Sequence, residues 1–191
     1  MADNVLQAMA DNYSKAFPKY PPLIVSHNWI YGVWMIGNNY AGSGYYGAYP
    51  PTFLKRVMSM YPAPQRILHL FSGSLGQNTP GDRVDINPDT KPTIVGDAHK
   101  LSDIVPHREY DLIIADPPYS AEDANHYGRP MINRNTVIRE CVNVVRPGGH
   151  LVWLDQVRPM YRKDTWDAVG TIGVVRSTNH RVRMVFIFIR R

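Results

Sequence analysis

Apolar residues come in short pulses along this chain, and the period of the pulses changes. RILHLF (66–71) is almost uninterrupted, as a strand buried on both faces reads. RVDI (83–86) and TIVG (93–96) are shorter examples, and YDLIIAD (110–116) is the clearest. RNTVIRECVNVVR (134–146) instead spaces its apolar residues as an amphipathic helix, ended by Pro147-Gly148-Gly149. HLVWLD (150–155) predicts the next strand. YRKDTWDAV predicts a short helix, and TIGVVR and RVRMVFIFI predict two last strands joined at Ser177-Thr178-Asn179. Upstream, PTFLKRVMSMY sets Phe53, Leu54, Val57, Met58 and Tyr61 at helical spacing, with Thr52 as its cap and Pro62 and Pro64 beyond its end. Strands alternating with helices predict an α/β fold: a mostly parallel sheet with an antiparallel hairpin at the end.

The segment WIYGVWMIGNNYAGSGYYGAYPP (29–51) has a different texture. Glycine and asparagine interrupt it too often for a long helix, so it predicts short extended pieces and ordered loops. No internal repeat and no low-complexity linker divides the chain, which predicts a single domain over 1–191 with residues 1–51 packing on its core.

Two connections are too short for that plan. Ten residues separate Gly73 from Val84, and six, two of them proline, separate Ile86 from Thr93. A parallel crossover usually takes a dozen or more residues and a helix. The crossover helices after the first two strands are therefore reduced, and one sheet face is left for the N-terminal segment or another subunit to cover. Trp29, Tyr31, Trp34 and Met35 are the expected buried anchors.

Composition narrows the class further. With 44% hydrophobic and 19% charged residues the chain is globular rather than disordered. The single cysteine, Cys141, excludes an intrachain disulfide framework. With an N-terminus that lacks an apolar targeting core, it predicts a cytoplasmic protein. The net charge of +5 leans towards polyanionic partners. Much of it comes late, in Arg176, Arg181, Arg183, Arg190 and Arg191 with His180 among them.

The candidate chemistry lies at strand ends, where open parallel sheets bind ligands. One strand ends in Phe71-Ser72-Gly73, a turn that lets backbone amides approach a ligand. The next carries Asp85, placed to grip ribose hydroxyls. Asp97 and Ala98 follow the third. The fourth ends in Asp116-Pro117-Pro118-Tyr119. Proline fixes φ and pushes the residue before it towards extended geometry. Asp116 and Pro117 thus present a carboxylate and a carbonyl as two acceptors, suited to an amino group, and Tyr119 offers a face for stacking.

This ordered set resembles the S-adenosylmethionine-dependent amino-methyltransferases, DPPY type. HLFSGS is similar to their cofactor loop, VDIN to their acidic second motif and GDAHKL to the third. ADPPY is similar to the catalytic motif of enzymes that methylate adenine in DNA, and VRPGGHLVWL to the helix–turn–strand that follows. YYGAYPPTFLKRV resembles the segment at the methionine end of the cofactor. The resemblance covers about residues 45–191 and implies a Rossmann-like methyltransferase sheet. It implies S-adenosyl-L-methionine as cofactor, held by Tyr49, Pro50, Phe71, Ser72, Gly73, Asp85, Asp97 and Ala98. It implies catalysis at Asp116 to Tyr119 on an adenine amino group, without a metal.

There is no room for a large recognition domain. Substrate contacts are expected from the loop 120–135, with Tyr127 and Arg129, from Arg158, and from the turn 176–183, with His180 and Arg181. An RNA amino-methyltransferase and a non-catalytic cofactor- or nucleic-acid-binding regulator remain open alternatives, as does a homodimer or partner subunit.

Overall fold

The computed structural model describes residues 2–37, 49–50, 52–64, 66–105, 109–126, 131–176 and 179–191; for residues 2, 3, 126 and 179–181 it describes the backbone alone. The elements run α1 (Ala2–Ala16), β1 (Ile24–Ser26), β2 (Trp29–Ile36), α2 (Phe53–Met60), β3 (Ile67–Leu70), β4 (Asp82–Asp85), β5 (Ile94–Val95) and α3 (Leu101–Ile104). β6 (Tyr110–Ala115), α4 (Ala121–His126), α5 (Arg134–Val144), β7 (Val145–Asp155), β8 (Trp166–Arg176) and β9 (Asn179–Arg190) complete them. The strands form one sheet in the order β1-β2-β8-β9-β7-β6-β3-β4-β5. Pairing is parallel from β5 through β4, β3 and β6 to β7, and antiparallel where β9 meets β7 and β8.

Side-chain alternation divides the core between the two faces of this sheet. Leu6, Met9 and Tyr13 of α1 and Phe53, Val57 and Met60 of α2 pack with Leu112, Ile114, Val152, Leu154, Val185 and Ile187. On the other face α3 and α5, through Leu101, Val137, Ile138 and Cys141, cover Leu68, Leu70, Ile113, Ala115, Leu151 and Trp153. Burial pushes the Cys141 thiol up, leaving it a small core residue and not a nucleophile. Arg56 is also buried, inside an aromatic box. Its guanidinium carbon lies 4.3 Å from the Tyr20 ring centroid and 4.9 Å from that of Phe17, while its nitrogens donate to the Tyr13 hydroxyl and the Met35 carbonyl. This cation–π and hydrogen-bond cluster joins α1, α2 and β2.

The short crossovers are accommodated by polar packing. Register sets His69 beside Arg83 on one face of β3 and β4, and both are buried. Here the connecting chain folds back over the strands. His69 Nε2 lies 3.1 Å from the Pro80 carbonyl oxygen, and Arg83 Nη1 donates to the Leu75 carbonyl at 3.1 Å. Burial holds the His69 pKa below its usual value, consistent with a neutral ring that donates from Nε2. Gly81 makes the return, with φ 106° and only 2.7 Å from a would-be Cβ to the Ile67 carbonyl oxygen. A side chain there would be strained by both conformation and contact.

Several sequence expectations are corrected. Residues 29–36 form a single eight-residue strand parallel to β8. On it Trp34 is buried and Trp29 half-buried, but Tyr31 and Met35 face solvent, because β2 alternates and α3 and α5 cover only the far half of that face. α1 was not expected at all. YRKDTWDAV is no helix: Trp166 begins β8. α5 stops at Val144, and Pro147-Gly148-Gly149 lie inside β7. Thr52 precedes α2 with φ 62° and makes no side-chain cap. The loop 120–135 contains α4, capped by Ser120, whose Oγ accepts the Asp123 amide and donates to the Asp123 carboxylate.

Candidate active site

The strand order reverses between β3 and β6: β4 lies outside β3, and β7 outside β6. Leu70 pairs with Ala115, so the residues after each strand emerge side by side. Those residues are Phe71-Ser72-Gly73 and Asp116-Pro117. This is the crevice where open α/β sheets take ligands.

The turn after β3 is tightly held. Phe71 has φ 57° and Gly73 φ 48°, so a non-glycine residue sits in the left-handed region beside the glycine. The Phe71 ring rests edge-on against Trp153, 6.5 Å between centroids. The Ser72 amide donates to the Val84 carbonyl at 3.2 Å, while its buried Oγ has no hydrogen-bond partner among the described residues. The Gly73 amide donates to Asp85 Oδ2 at 2.8 Å, and the Asn87 amide to Asp85 Oδ1 at 2.9 Å. Asp85 thereby ties the β3 turn to the β4 turn and keeps a lone pair on each oxygen.

Asp97 caps the 3-10 turn Ala98–Lys100. Its Oδ1 accepts the His99 amide at 2.9 Å and lies 2.7 Å from His99 Nδ1. His99 Nε2 in turn accepts the Asn133 amide at 2.9 Å, so this ring links the Asp97 turn to the start of α5. Asp97 Oδ2 accepts no hydrogen bond among the described residues. Ala98 is buried against the core.

At the β6 corner, Pro117 is buried and Asp116 half-buried. The Tyr119 hydroxyl donates to Asp116 Oδ1. Burial pushes the Asp116 carboxyl up to about 7; the Tyr119 hydrogen bond and the Arg183 charge pull down, and Asp155 and Asp123 add to the rise. One face of the Tyr119 ring is taken by the Arg183 guanidinium, 4.5 Å from the centroid, so both faces are not open for stacking. Beneath the corner, the Tyr49 hydroxyl lies 3.3 Å from both the Ile114 carbonyl oxygen and His69 Nδ1. Pro50 is buried, and its carbonyl accepts the Phe53 amide.

Arg134 and Asp155 complete the corner, and sequence reasoning missed their pairing. Asp155 ends β7, is fully buried, and forms an ion pair with Arg134. Arg134 also donates to the Tyr119 carbonyl at 3.0 Å. The signal was present in an acid at the end of the WLD pulse, in the same relation to its strand as Asp116. Arg158 is exposed, its guanidinium 5.9 Å from the Tyr161 ring centroid. Tyr127 and Arg129 lie outside the described residues, as do the side chains of His180 and Arg181, whose backbones belong to β9.

Solved structures match parts or all of this chain at low identity. TrmN from Thermus thermophilus matches over 74% of this chain and 49% of its own, at 18% identity and a TM-score of 0.56. The chain thus spans about half the length of TrmN. An rRNA methylase from Streptococcus thermophilus matches at 9% identity over 65% of this chain and 86% of its own, with a TM-score of 0.44. The N-methyltransferase NodS from Bradyrhizobium japonicum WM9 matches at 14% identity over 100% and 99%, with a TM-score of 0.43. No family model matches the sequence, and no curated protein does. The TrmN likeness, with the strand order and the C-terminal hairpin, gives the chain a Rossmann-like α/β fold.

Proposed function

We propose that this chain is an S-adenosylmethionine-dependent methyltransferase acting on the exocyclic amino group of a nucleic-acid base, with N6 of adenine in DNA as its target. The observation that carries the reading is the Leu70–Ala115 register, which sets two acceptors at Asp116-Pro117 beside a turn organised by Asp85. The residues fit the cofactor. Among the described residues the buried Ser72 hydroxyl has no partner and Asp97 Oδ2 accepts no hydrogen bond, which leaves it for an adenine amino group, and Asp85 retains acceptor capacity for ribose hydroxyls. Tyr49 and Pro50 support the strand ends from below and belong to the wall of that site.

When bound, the cofactor supplies an electrophilic methyl group on a sulfonium. The chain supplies orientation and charge. The Pro117 carbonyl and the Asp116 carboxylate accept the two hydrogens of the target amino group, which draws its lone pair out of ring conjugation and aims it. Holding that geometry is worth several orders of magnitude in rate. An amino nitrogen that gains a methyl group must shed a proton, and Asp116 stabilises the developing positive charge and accepts the proton. Tyr119 holds Asp116 Oδ1 in place through its hydroxyl.

The test is mass analysis of nucleosides after incubation with S-adenosylmethionine and duplex DNA, single-stranded DNA or RNA. N6-methyldeoxyadenosine is the expected product. A methylated amino group found only in RNA moves the substrate to RNA, and no methylated base in any polymer rejects the reading.

A further inference from the structure

Two arginines beside the corner have no hydrogen-bond acceptor among the described residues. β8 and β9 pair so that Val174 faces Arg183 and Arg176 faces Asn179, with a register shift between them. Arg176 and Arg183 therefore sit at the same end of the hairpin. Alternation sets both on the sheet face that carries Val174, Val185 and Ile187. Neither guanidinium makes a hydrogen bond or an ion pair among the described residues, and the Nε of each is buried without an acceptor. Burial first, and the Arg183 charge second, lower the pKa of Arg176.

Like charges held together and partly desolvated are unfavourable. The Arg183 charge acts on Asp116, but no acid forms an ion pair or hydrogen bond with either arginine among the described residues. Asp116 Oδ1 is engaged by the Tyr119 hydroxyl, Asp155 by Arg134, and Asp123 by Ser120. Arg183 stacks on Tyr119 instead of pairing with an acid. Guanidinium forks that lack an acceptor match a tetrahedral oxyanion, which accepts from both at once.

We propose that Arg176 and Arg183 form a phosphate site that holds the substrate strand's backbone next to the target nucleotide. This rests on the nucleic-acid reading above for the source of the phosphate, but not for the site itself. Stacking of Arg183 on Tyr119 places the site one side chain away from Asp116. A phosphate gripped there fixes the register of the strand over the corner while leaving base identity to other contacts.

Arg176→Gln and Arg183→Gln test it, with Arg176→Lys and Arg183→Lys as charge-keeping controls. The first readout is the melting temperature with and without inorganic phosphate. The parent and the lysine variants are expected to gain a phosphate-dependent rise that each glutamine variant loses. The second is fluorescence anisotropy of a labelled single-stranded oligodeoxynucleotide over a potassium chloride series. Each glutamine substitution is expected to weaken binding about tenfold at low salt and to reduce the log–log salt slope by about 0.7. Cofactor affinity by calorimetry stays at the parent value. The phosphate readout needs no methyl transfer, so its result stands even if no base is methylated. Glutamine variants that keep the parent's phosphate response and salt slope overturn the proposal. Loss of the phosphate response with an unchanged salt slope also overturns it, assigning the pair to a free small anion.

Discussion

Arg134 holds Asp155 through two nitrogens, Nε to Oδ2 at 2.6 Å and Nη2 to Oδ1 at 3.1 Å. Three further donors reach the same carboxylate: the Trp153 indole at 3.2 Å and the Gln156 and Val157 amides at 2.7 and 3.3 Å. A buried charge is tolerated when its lone pairs are filled in this way. Because Arg134 also donates to the Tyr119 carbonyl, it couples the ends of β6 and β7 to the start of α5.

Breaking that pair leaves an uncompensated buried carboxylate. Arg134→Ala is expected to cost about 3–5 kcal/mol of stability in urea unfolding. It should also disturb the corner through Tyr119, lowering the methyl-transfer rate at saturating substrate. A loss under about 1 kcal/mol, the range of exposed pairs, would contradict this account of Arg134.

The raised Asp116 pKa makes two pH predictions. Its value goes from an ordinary 3.8 to about 7, so the folded state binds the proton more tightly than the unfolded state. The stability this contributes is complete below about pH 4 and is lost as pH rises through 7. Asp116→Asn removes the titration, so its melting temperature relative to the parent should rise between pH 4 and pH 8. The acceptor role needs the carboxylate, so the rate should rise with pH to a plateau, with a midpoint near 7. A flat profile from pH 5.5 to 8.5 would contradict the assignment.

Asp85 links two turns, and the proposed function has it bind the cofactor ribose. Asp85→Ala should weaken S-adenosylmethionine binding by about 1–3 kcal/mol in titration calorimetry. Unchanged affinity in a folded variant would remove Asp85 from the binding site.

The N-terminal helix is part of the core, since Leu6 and Tyr13 are fully buried in it. Leu6→Ala should cost about 2–5 kcal/mol, the usual effect of a cavity in a packed core. Deleting residues 1–40 should cause aggregation or loss of cooperative unfolding. A soluble, monomeric truncation with an unchanged melting temperature would show α1 to be dispensable.

The inner strands were legible because buried parallel strands read as apolar pulses, and RILHLF and YDLIIAD are flanked by turn residues. The placement of Asp85, Asp97 and Asp116 at strand ends followed from those pulses. α1 was equally readable in Leu6, Met9, Ala10 and Tyr13, spaced for one helical face, but the polar residues between them obscured it. The short helix expected over YRKDTWDAV failed because Trp166 belongs to a strand paired with Arg190, and pairing at that distance leaves no local trace. The Arg134–Asp155 pair was hidden for the same reason, its members lying twenty-one positions apart. The polar covering of β3 and β4 by the Pro80 and Leu75 carbonyls was not readable either, since it depends on where a turn folds back.

Single-turnover methyl transfer by Asp116→Ala, at saturating S-adenosylmethionine and the best polymer substrate, tests the central claim most directly. The expected result is a rate reduced by two orders of magnitude or more, the effect of losing one charged acceptor in a preorganised site, about 2.7–4 kcal/mol. Cofactor affinity measured on the same sample should stay within a few fold of the parent. A variant that transfers methyl groups at a near-parent rate would contradict the role given to the Asp116-Pro117 corner.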